Sequence, residues 1–240
     1  MQFERQQAIL RLLEQHHTAT VRQLAEAVYA SEASVRRDIE ALEKQGCVQK
    51  LYGGVVLAQY KNSVIPLSLR DSEHAAAKEQ LAQKAAALIH DGAAIFLDAS
   101  STARRILKYI SHRRNLKIIT NSLRVFHEAE ALHAKLYCTG GALNKSNYAF
   151  SGPAAERFLR AVSADILFFS SQGLSLDGEI SDASEEETSL RRVMLTRAEK
   201  KIFLCDSSKL GQKRLFTVCT KKDVDRILCD VPLPWETKKS

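Results

Sequence analysis

Between Thr20 and Leu42 two helical patterns stand only three residues apart. Val21, Leu24, Ala25 and Val28 repeat at i, i+3, i+4 and i+7, and Val35, Ile39 and Leu42 form a second apolar stripe. That period places its members on one face only if the backbone is helical. The connection, Tyr29-Ala30-Ser31, is so short that the two helices must pack directly on each other. Thr20 and Ser31 stand where a hydroxyl can accept an N–H of the following first turn. Ile9, Leu12 and Leu13 predict a preceding helix over about residues 3–15. Gly46 suits a left-handed helix end. The run 48–57, broken by Gly53-Gly54, reads as strand, tight turn, strand. The sum is a helix-turn-helix with a wing.

The third helix shows what such a unit offers to a partner. With Val35, Ile39 and Leu42 inward, Arg37 lies nearly opposite them and Ser34 and Arg36 lie on the flanks. Guanidinium groups and short hydroxyls near a helix N-terminus read base edges and hold phosphates in a major groove. Ser31, Ser34, Arg36 and Arg37 are therefore candidate DNA contacts, and Lys50 and Tyr52 on the wing can touch the backbone. A three-helix protein-interaction module with solvated arginines fits the same periodicity. Charge does not separate the two. The net charge is +7, but residues 1–60 hold seven basic and seven acidic side chains, so the excess lies in 61–240. Glu40 and Glu43 sit further down the helix, away from its groove-reading end.

A chain of 240 residues is comfortable for two domains. Residues 58–74 lack clean periodicity and contain Pro66, which interrupts any helix. The expected organisation is a DNA-binding domain over 1–57, a linker over 58–74 and a larger domain over 75–240. Residues 74–90 are rich in Ala, Glu, Gln and Lys and predict a helix. After it, apolar runs at 93–97, 116–120, 136–138, 166–169, 202–205 and 227–229 alternate with helical patterns at about 101–110, 123–132, 153–162 and 185–198. That alternation predicts a mainly parallel sheet covered on both faces, and such sheets take ligands at the carboxyl ends of their strands. Asp98-Ala99-Ser100-Ser101-Thr102 follows the first run directly. Hydroxyls and unpaired N–H groups at a helix start make an anion site. Arg104 and Arg105 in that first turn oppose the helix dipole, a conflict that a bound phosphate removes. An ordinary serine cap with two solvated arginines accounts for the residues equally.

Composition removes several other classes. Ten Gly and four Pro exclude collagen-like and low-complexity chains, and 45% hydrophobic with 26% charged residues is the balance of a folded soluble protein. Apolar runs such as Ile166 to Phe169 fall far below the roughly 18–20 residues that span a bilayer. The first residues are too polar for a signal peptide. The five cysteines, Cys47, Cys138, Cys205, Cys219 and Cys229, are widely spaced and form no C-x-x-C. Reduced thiols in a cytoplasmic protein are expected, with no metal site, no cofactor and no membrane partner.

Specific motifs then add a family. Arg5-x-x-x-Ile9-x-x-x-Leu13, Leu24-Ala25, Ser31-Glu32-Ala33-Ser34-Val35-Arg36-Arg37-Asp38-Ile39, Leu42, Gly46 and Gly53-Gly54 together resemble the DeoR family of bacterial transcriptional regulators. Ser34 stands in the family's Thr place and keeps the hydroxyl. The resemblance runs on through the larger domain. Asp98 to Thr102 occupies the place of the D-x-G-[ST]-T phosphate loop, and Thr120-Asn121-Ser122 looks like the family's T-N-S. Gly140-Gly141, Ser151-Gly152-Pro153, Gly173, Glu187, Asp206-Ser207-Ser208-Lys209 and Lys78 match later elements. The resemblance implies an α/β chain, a winged helix-turn-helix followed by a sensor domain similar to ribose-5-phosphate isomerase. It also implies repression of a carbohydrate-utilisation operon, relieved by a phosphorylated sugar.

The implied effector residues are Lys78, Asp98, Ser100, Ser101, Thr102, Asn121, Gly140, Gly141, Gly173, Glu187 and Lys209. Ser100, Ser101 and Thr102 can bond phosphate oxygens, and Lys78 and Lys209 can neutralise its charge. Asp98 and Asn121 can orient sugar hydroxyls, and the glycines permit close backbone approach. Read singly, Lys78 is also a solvated helix lysine, Gly140-Gly141 a turn and Asp98 a helix cap. The family's loop glycine is Ser100 here, and its A-D-G-I-D is Ser171-Gln172-Gly173-Leu174-Ser175, with both acids lost. A sugar-phosphate isomerase needs a carboxylate base, which that loss disfavours. A sheet domain that only oligomerises, or that binds a non-sugar effector, is the other alternative. One helix-turn-helix per chain predicts a dimer or tetramer on paired half-sites of operator DNA.

Overall fold

The computed structural model describes residues 2–16, 18–45, 47–51, 54–57, 71, 74–145 and 147–236. Contacts divide the chain into two units, Met1–Glu73 and His74–Ser240. The 58–74 segment lies outside the described residues apart from Asp71 and His74, as do Gly46, Tyr52 and Gly53.

In the first unit α1 (Gln2–His16), α2 (Val21–Ala27) and α3 (Glu32–Lys44) pack around Ile9, Leu13, Leu24, Val35, Ile39 and Leu42, all almost fully buried. Thr20 caps α2 in a reciprocal box: its Oγ1 accepts from the Gln23 N–H at 3.0 Å and the Gln23 Oε1 accepts from the Thr20 N–H at 2.9 Å. Ser31 caps α3, accepting from the Ser34 N–H at 3.3 Å. The polar break after α1 is itself a strand, β1 (Thr18–Ala19). It pairs with β3 (Gly54–Leu57), which pairs with β2 (Val48–Leu51), in an antiparallel sheet ordered β1-β3-β2.

The second unit is a six-stranded parallel sheet made of β4 (Ala94–Leu97), β5 (Leu116–Thr120), β6 (Ala134–Cys138), β9 (Ala164–Phe169), β12 (Ala198–Cys205) and β14 (Arg226–Cys229). Its order is β14-β12-β9-β4-β5-β6. All six expected strands are in it. Side chains alternate across it: Ile95, Leu97, Ile118 and Phe168 enter one core, and Phe96, Ile119, Phe169 and Phe203 the other. The first core is closed by α4 (Ala75–Ala86), by α5 (Ser101–Arg104), which runs on as a 3-10 turn over Arg105–Tyr109, and by α6 (Leu123–Ala129). The second is closed by α7 (Pro153–Arg160) and α8 (Glu185–Arg197). Burial on both faces explains why these strands read as continuous apolar runs.

Two short elements were not anticipated. One is the hairpin β7 (Ala142–Asn144) and β8 (Ala149–Ser151). The other is an antiparallel sheet ordered β10-β11-β13, from Gly173–Leu174, Glu179–Asp182 and Phe216–Thr220. The hairpin follows Gly140 (φ +62°) and Gly141 (φ +107°). A Cβ on Gly141 would sit 2.5 Å from the Ser151 carbonyl oxygen, whereas one on Gly140 would meet nothing within 4 Å. We expect Gly140→Ala to cost about 1–2 kcal/mol for its left-handed backbone, and Gly141→Ala to cost more, because strain of about 1–3 kcal/mol is joined by a clash with backbone that cannot yield. Urea unfolding of both variants measures this; equal losses would mean the approach to Ser151 is easily relieved.

Candidate functional site

The face of α3 offers its groups unequally. Arg37 is exposed and makes no hydrogen bond or ion pair with any described residue. Arg36 is also exposed but pairs with Glu32 one turn earlier at 2.9 Å, a contact worth only a few tenths of a kcal/mol and readily exchanged for a phosphate. The Ser34 hydroxyl lies 3.0 Å from that of Ser31, so both serines serve the cap. Lys50 is held by acid: its Nζ is 3.3 Å from Glu43 and 3.7 Å from Glu40, and its N–H donates to Glu43 at 3.0 Å. Those contacts, the backbone one first, hold the Glu43 carboxyl below its ordinary range. Among the described candidates, Arg37 is therefore the one whose donors are all unspent.

Asp38 follows Arg36 and Arg37 in the chain. It completes the inward stripe of α3 beside Val35, Ile39 and Leu42 and is fully buried. Its carboxylate accepts from Arg5 Nε at 2.5 Å and from Gln6 Nε2 at 3.3 Å, both on α1. The pair ties α1 to the inner side of α3 while Arg37 faces out.

In the larger unit the chain builds β4, β5 and β6 in one direction, then returns to add β9, β12 and β14 on the other side of β4. The order reverses between β4 and β9, where a sheet of this kind opens at its carboxyl edge. Asp98 ends β4 and Ser170 ends β9, and the two meet: the Ser170 N–H donates to Asp98 Oδ2 at 3.3 Å. Buried beneath them is Arg191 of α8. Its Nε donates to Asp98 at 2.8 Å, and its two terminal nitrogens donate to Asp182 at 2.9 Å and Glu187 at 2.6 Å. All four groups are at most 5% exposed. Burial alone would lower the guanidinium pKa, but Asp182, Glu187 and Asp98 outweigh it and raise it.

This geometry gives several of the expected ligand residues partners within the chain. Asp98 Oδ1 accepts from the Ser100 N–H at 3.1 Å and from Ser100 Oγ at 2.5 Å, and Oδ2 accepts from Ser170 and Arg191. Four bonds fill a carboxylate, so Asp98 shapes the loop and has no lone pair left for a sugar hydroxyl. Ser100 also turns inward, capping α5 through the Ala103 N–H at 3.1 Å. Glu187 is spent on Arg191 and on the Asn147 amide. Gly141 and Gly173 do sit at close approaches, but to the chain itself. A Cβ on Gly173 would lie 2.7 Å from the Gln212 carbonyl oxygen. Arg104 and Arg105 are not simply solvated, since they pair with Glu128 and Glu79 respectively.

Other candidate groups stand just beyond the carboxyl ends of the same strands. Thr102 is fully buried and its Oγ1 has no partner; Asn121 donates its amide to the Phe150 carbonyl at 3.3 Å, which leaves its buried Oδ1 unpartnered. Lys209, on the 3-10 turn after β12, donates to Ser170 Oγ at 2.6 Å and lies 3.2 Å from Asp206. Lys78 is buried on α4 and acts electrostatically on that same Asp206. Burial pushes the Asp206 carboxyl up, but Lys209, Ser208 and Lys78 overcome it and hold it at about 2. Two cations from distant parts of the chain thus converge where β12 ends. Reasoning from sequence missed Arg191, Asp182, Ser170 and Asn147. Arg191 carried one signal, an arginine one turn after Glu187 inside an apolar helix face.

Comparisons with known proteins agree on both units. A DeoR-like helix-turn-helix domain model matches residues 5–61, and a DeoR C terminal sensor domain model matches residues 73–231. The HTH-type transcriptional regulator YulB of Bacillus subtilis is 32% identical over 228 residues, covering 95% of this chain and 88% of that protein. The lactose phosphotransferase system repressor of Staphylococcus epidermidis is 30% identical over 234 residues, covering 95% and 92%. Ribose 5-phosphate isomerase from Plasmodium falciparum is similar at 18% identity and a TM-score of 0.41, over 55% of this chain and 52% of that one. That likeness is too distant to bear on activity.

The depressed Asp206 carboxyl has a consequence for stability. Its folded value of about 2 lies below the ordinary 3.8, a difference of about 2 kcal/mol. A group depressed on folding stabilises above its unfolded value and loses that contribution as pH falls. The gap between wild type and Asp206→Asn in urea unfolding should be about 2 kcal/mol at neutral pH and close as pH drops through 3.8 towards 2. A gap unchanged at the acid end would show that charge is not what Asp206 contributes.

Proposed function

Because this chain belongs to the DeoR family of DNA-binding transcriptional regulators, we propose that it represses a carbohydrate-metabolism operon and releases its operator when a phosphorylated sugar binds at the carboxyl edge of its parallel sheet. The observation that carries the effector reading is the convergence there of Lys78 and Lys209 with the buried Thr102 hydroxyl and Asn121 carbonyl oxygen, neither of which has a hydrogen-bond partner. A phosphate brings about two negative charges and several acceptor oxygens. Lys209 can turn from Asp206 to such a group, and the Thr102 hydroxyl and the start of α5 can donate to it. Asn121 Oδ1 then accepts from a sugar hydroxyl, its amide orientation set by Phe150. Ser101, buried on the first turn of α5, borders the same place.

In this reading Asp98, Ser100, Glu187, Gly141 and Gly173 shape the site, while Lys78, Ser101, Thr102, Asn121 and Lys209 meet the ligand. Arg37 reads the operator, with Arg36, Ser31 and Ser34 setting the helix against the groove. One reading helix per chain calls for a homo-oligomer on paired half-sites, acting in the cytoplasm. Among the described residues no helix is long and apolar enough to cross a membrane.

Fluorescence anisotropy on the protein's own upstream DNA, at fixed salt, tests both halves. Binding should be released by a sugar phosphate and not by its unphosphorylated parent; binding that no phosphorylated sugar alters would leave a regulator with a different trigger. Arg37→Ala should lose about 1–3 kcal/mol of operator affinity, roughly 5- to 150-fold, with its thermal midpoint and sugar-phosphate binding unchanged. Unaltered operator affinity would remove Arg37 from the interface. Ser101→Asp should weaken sugar-phosphate binding by at least about tenfold, which needs only about 1.4 kcal/mol of repulsion, and yield a repressor that is hard to induce. Normal induction by a folded variant would place the phosphate elsewhere.

A further inference from the structure

The parallel strands β12 and β14 end side by side on two cysteines. Cys205 and Cys229 are register partners, and both belong to the core on the same face of the sheet. Register partners in a sheet lie about 4.8 Å apart, within the roughly 4.4–6.8 Å between Cα atoms that a disulfide bridges. The other cysteines in strands face different partners, Cys138 opposite Thr120 and Cys219 opposite Ile180. The two thiols differ in access. Cys205 is fully buried, whereas Cys229 is half-buried and lines an open cleft of about 470 Å³ beside Lys84, Val231 and Trp235.

We propose that Cys205 and Cys229 are a reversible dithiol–disulfide pair that a hydroperoxide oxidises through Cys229. A small peroxide enters the cleft and meets the Cys229 thiolate. That sulfur attacks one peroxide oxygen; the S–O bond forms, the O–O bond breaks, and the leaving oxygen takes up a proton as water or alcohol. The product is a sulfenic acid. Cys205 then gives up its proton and its sulfur attacks Cys229; the S–S bond forms and the S–O bond breaks, releasing water. Two thiols lose two electrons to one peroxide.

The assignment of roles follows from the surroundings. The interaction between the two thiols, and then burial, push the Cys205 thiol up. The same interaction, aided by the Val231 backbone and working against burial, draws the Cys229 thiol below its ordinary value. The thiolate is the nucleophile, so Cys229 attacks first and Cys205 resolves. The pair is also wired to the loop that carries Lys209. Cys205 precedes Asp206, which pairs with Lys209. Cys229 precedes Asp230, which accepts from the Ser207 N–H at 2.6 Å and from Ser207 Oγ at 3.0 Å. A bond drawn between the two strand ends moves both aspartates at the base of that loop.

The test uses the full chain, hydrogen peroxide, and alkylation of the remaining thiols in denaturant followed by mass spectrometry. Two of the five thiols should disappear together, peptide mapping should join Cys205 to Cys229, and dithiothreitol should restore both. Cys205→Ala should stop at a sulfenic acid on Cys229 that dimedone traps, and Cys229→Ser should leave Cys205 unmodified. Hydrogen exchange at the Ser207 amide should change on oxidation in the wild type and not in Cys229→Ser. Five alkylated thiols after peroxide treatment would overturn the proposal, as would first oxidation at Cys47, Cys138 or Cys219. A disulfide that left exchange at Ser207 unchanged would overturn the coupling to the Lys209 loop.

Discussion

The larger unit depends on one guanidinium. Arg191 gathers Asp98 from the end of β4, Asp182 from the end of β11 and Glu187 from its own helix, across 93 residues of chain. Three buried carboxylates without a cation would face several kcal/mol of desolvation each and repel one another. The guanidinium matches them because it is planar, always charged and forked. Its single charge leaves the cluster acid-rich. Backbone and side-chain donors absorb the rest: Asp182 accepts from the Ala183 and Ser184 N–H groups, Asp98 from Ser100 and Ser170, and Glu187 from Asn147.

That inward accounting determines what the carboxyl edge can offer a ligand. The Asp98 and Glu187 carboxylates are occupied by donors from within the chain. Among the described residues near that edge are two cations around Asp206, Lys209 and Lys78, and two buried atoms without a partner, the Thr102 hydroxyl and the Asn121 carbonyl oxygen. The proposed effector site, built this way, calls for a ligand rich in acceptors and negative charge. The serine in place of the loop glycine also becomes intelligible. Its hydroxyl is both the helix cap and a donor to Asp98, so the side chain stabilises the loop from inside.

The smaller unit uses the same device on a smaller scale. Asp38 occupies a core position of α3 and is held by Arg5 and Gln6 of α1. A charge buried against one partner helix orients α3 more narrowly than apolar packing does, since one geometry alone satisfies it. Arg36 and Arg37, next to it in the chain, are thereby directed outward.

The helices of the smaller unit and the parallel strands were legible in the residues. Apolar period marked α1, α2 and α3 and all six strands of the parallel sheet, and hydroxyl caps at Thr20 and Ser31 marked helix starts, because these signals act between residues a few positions apart. The short strands β1, β7, β8, β10, β11 and β13 were not legible, since they lack a continuous apolar run and exist through their partners. The identity of the candidate ligand residues was half legible. Residue types at the strand ends pointed to the edge, but whether each side chain faces outward or inward depended on Arg191, Ser170 and Gln212, which the chain brings there from far away. Saturation of a carboxylate, closeness of a glycine to another backbone and the pairing of Cys205 with Cys229 are properties of the folded arrangement. They arise from contacts between segments that have no local pattern in common, so no window of sequence contains them.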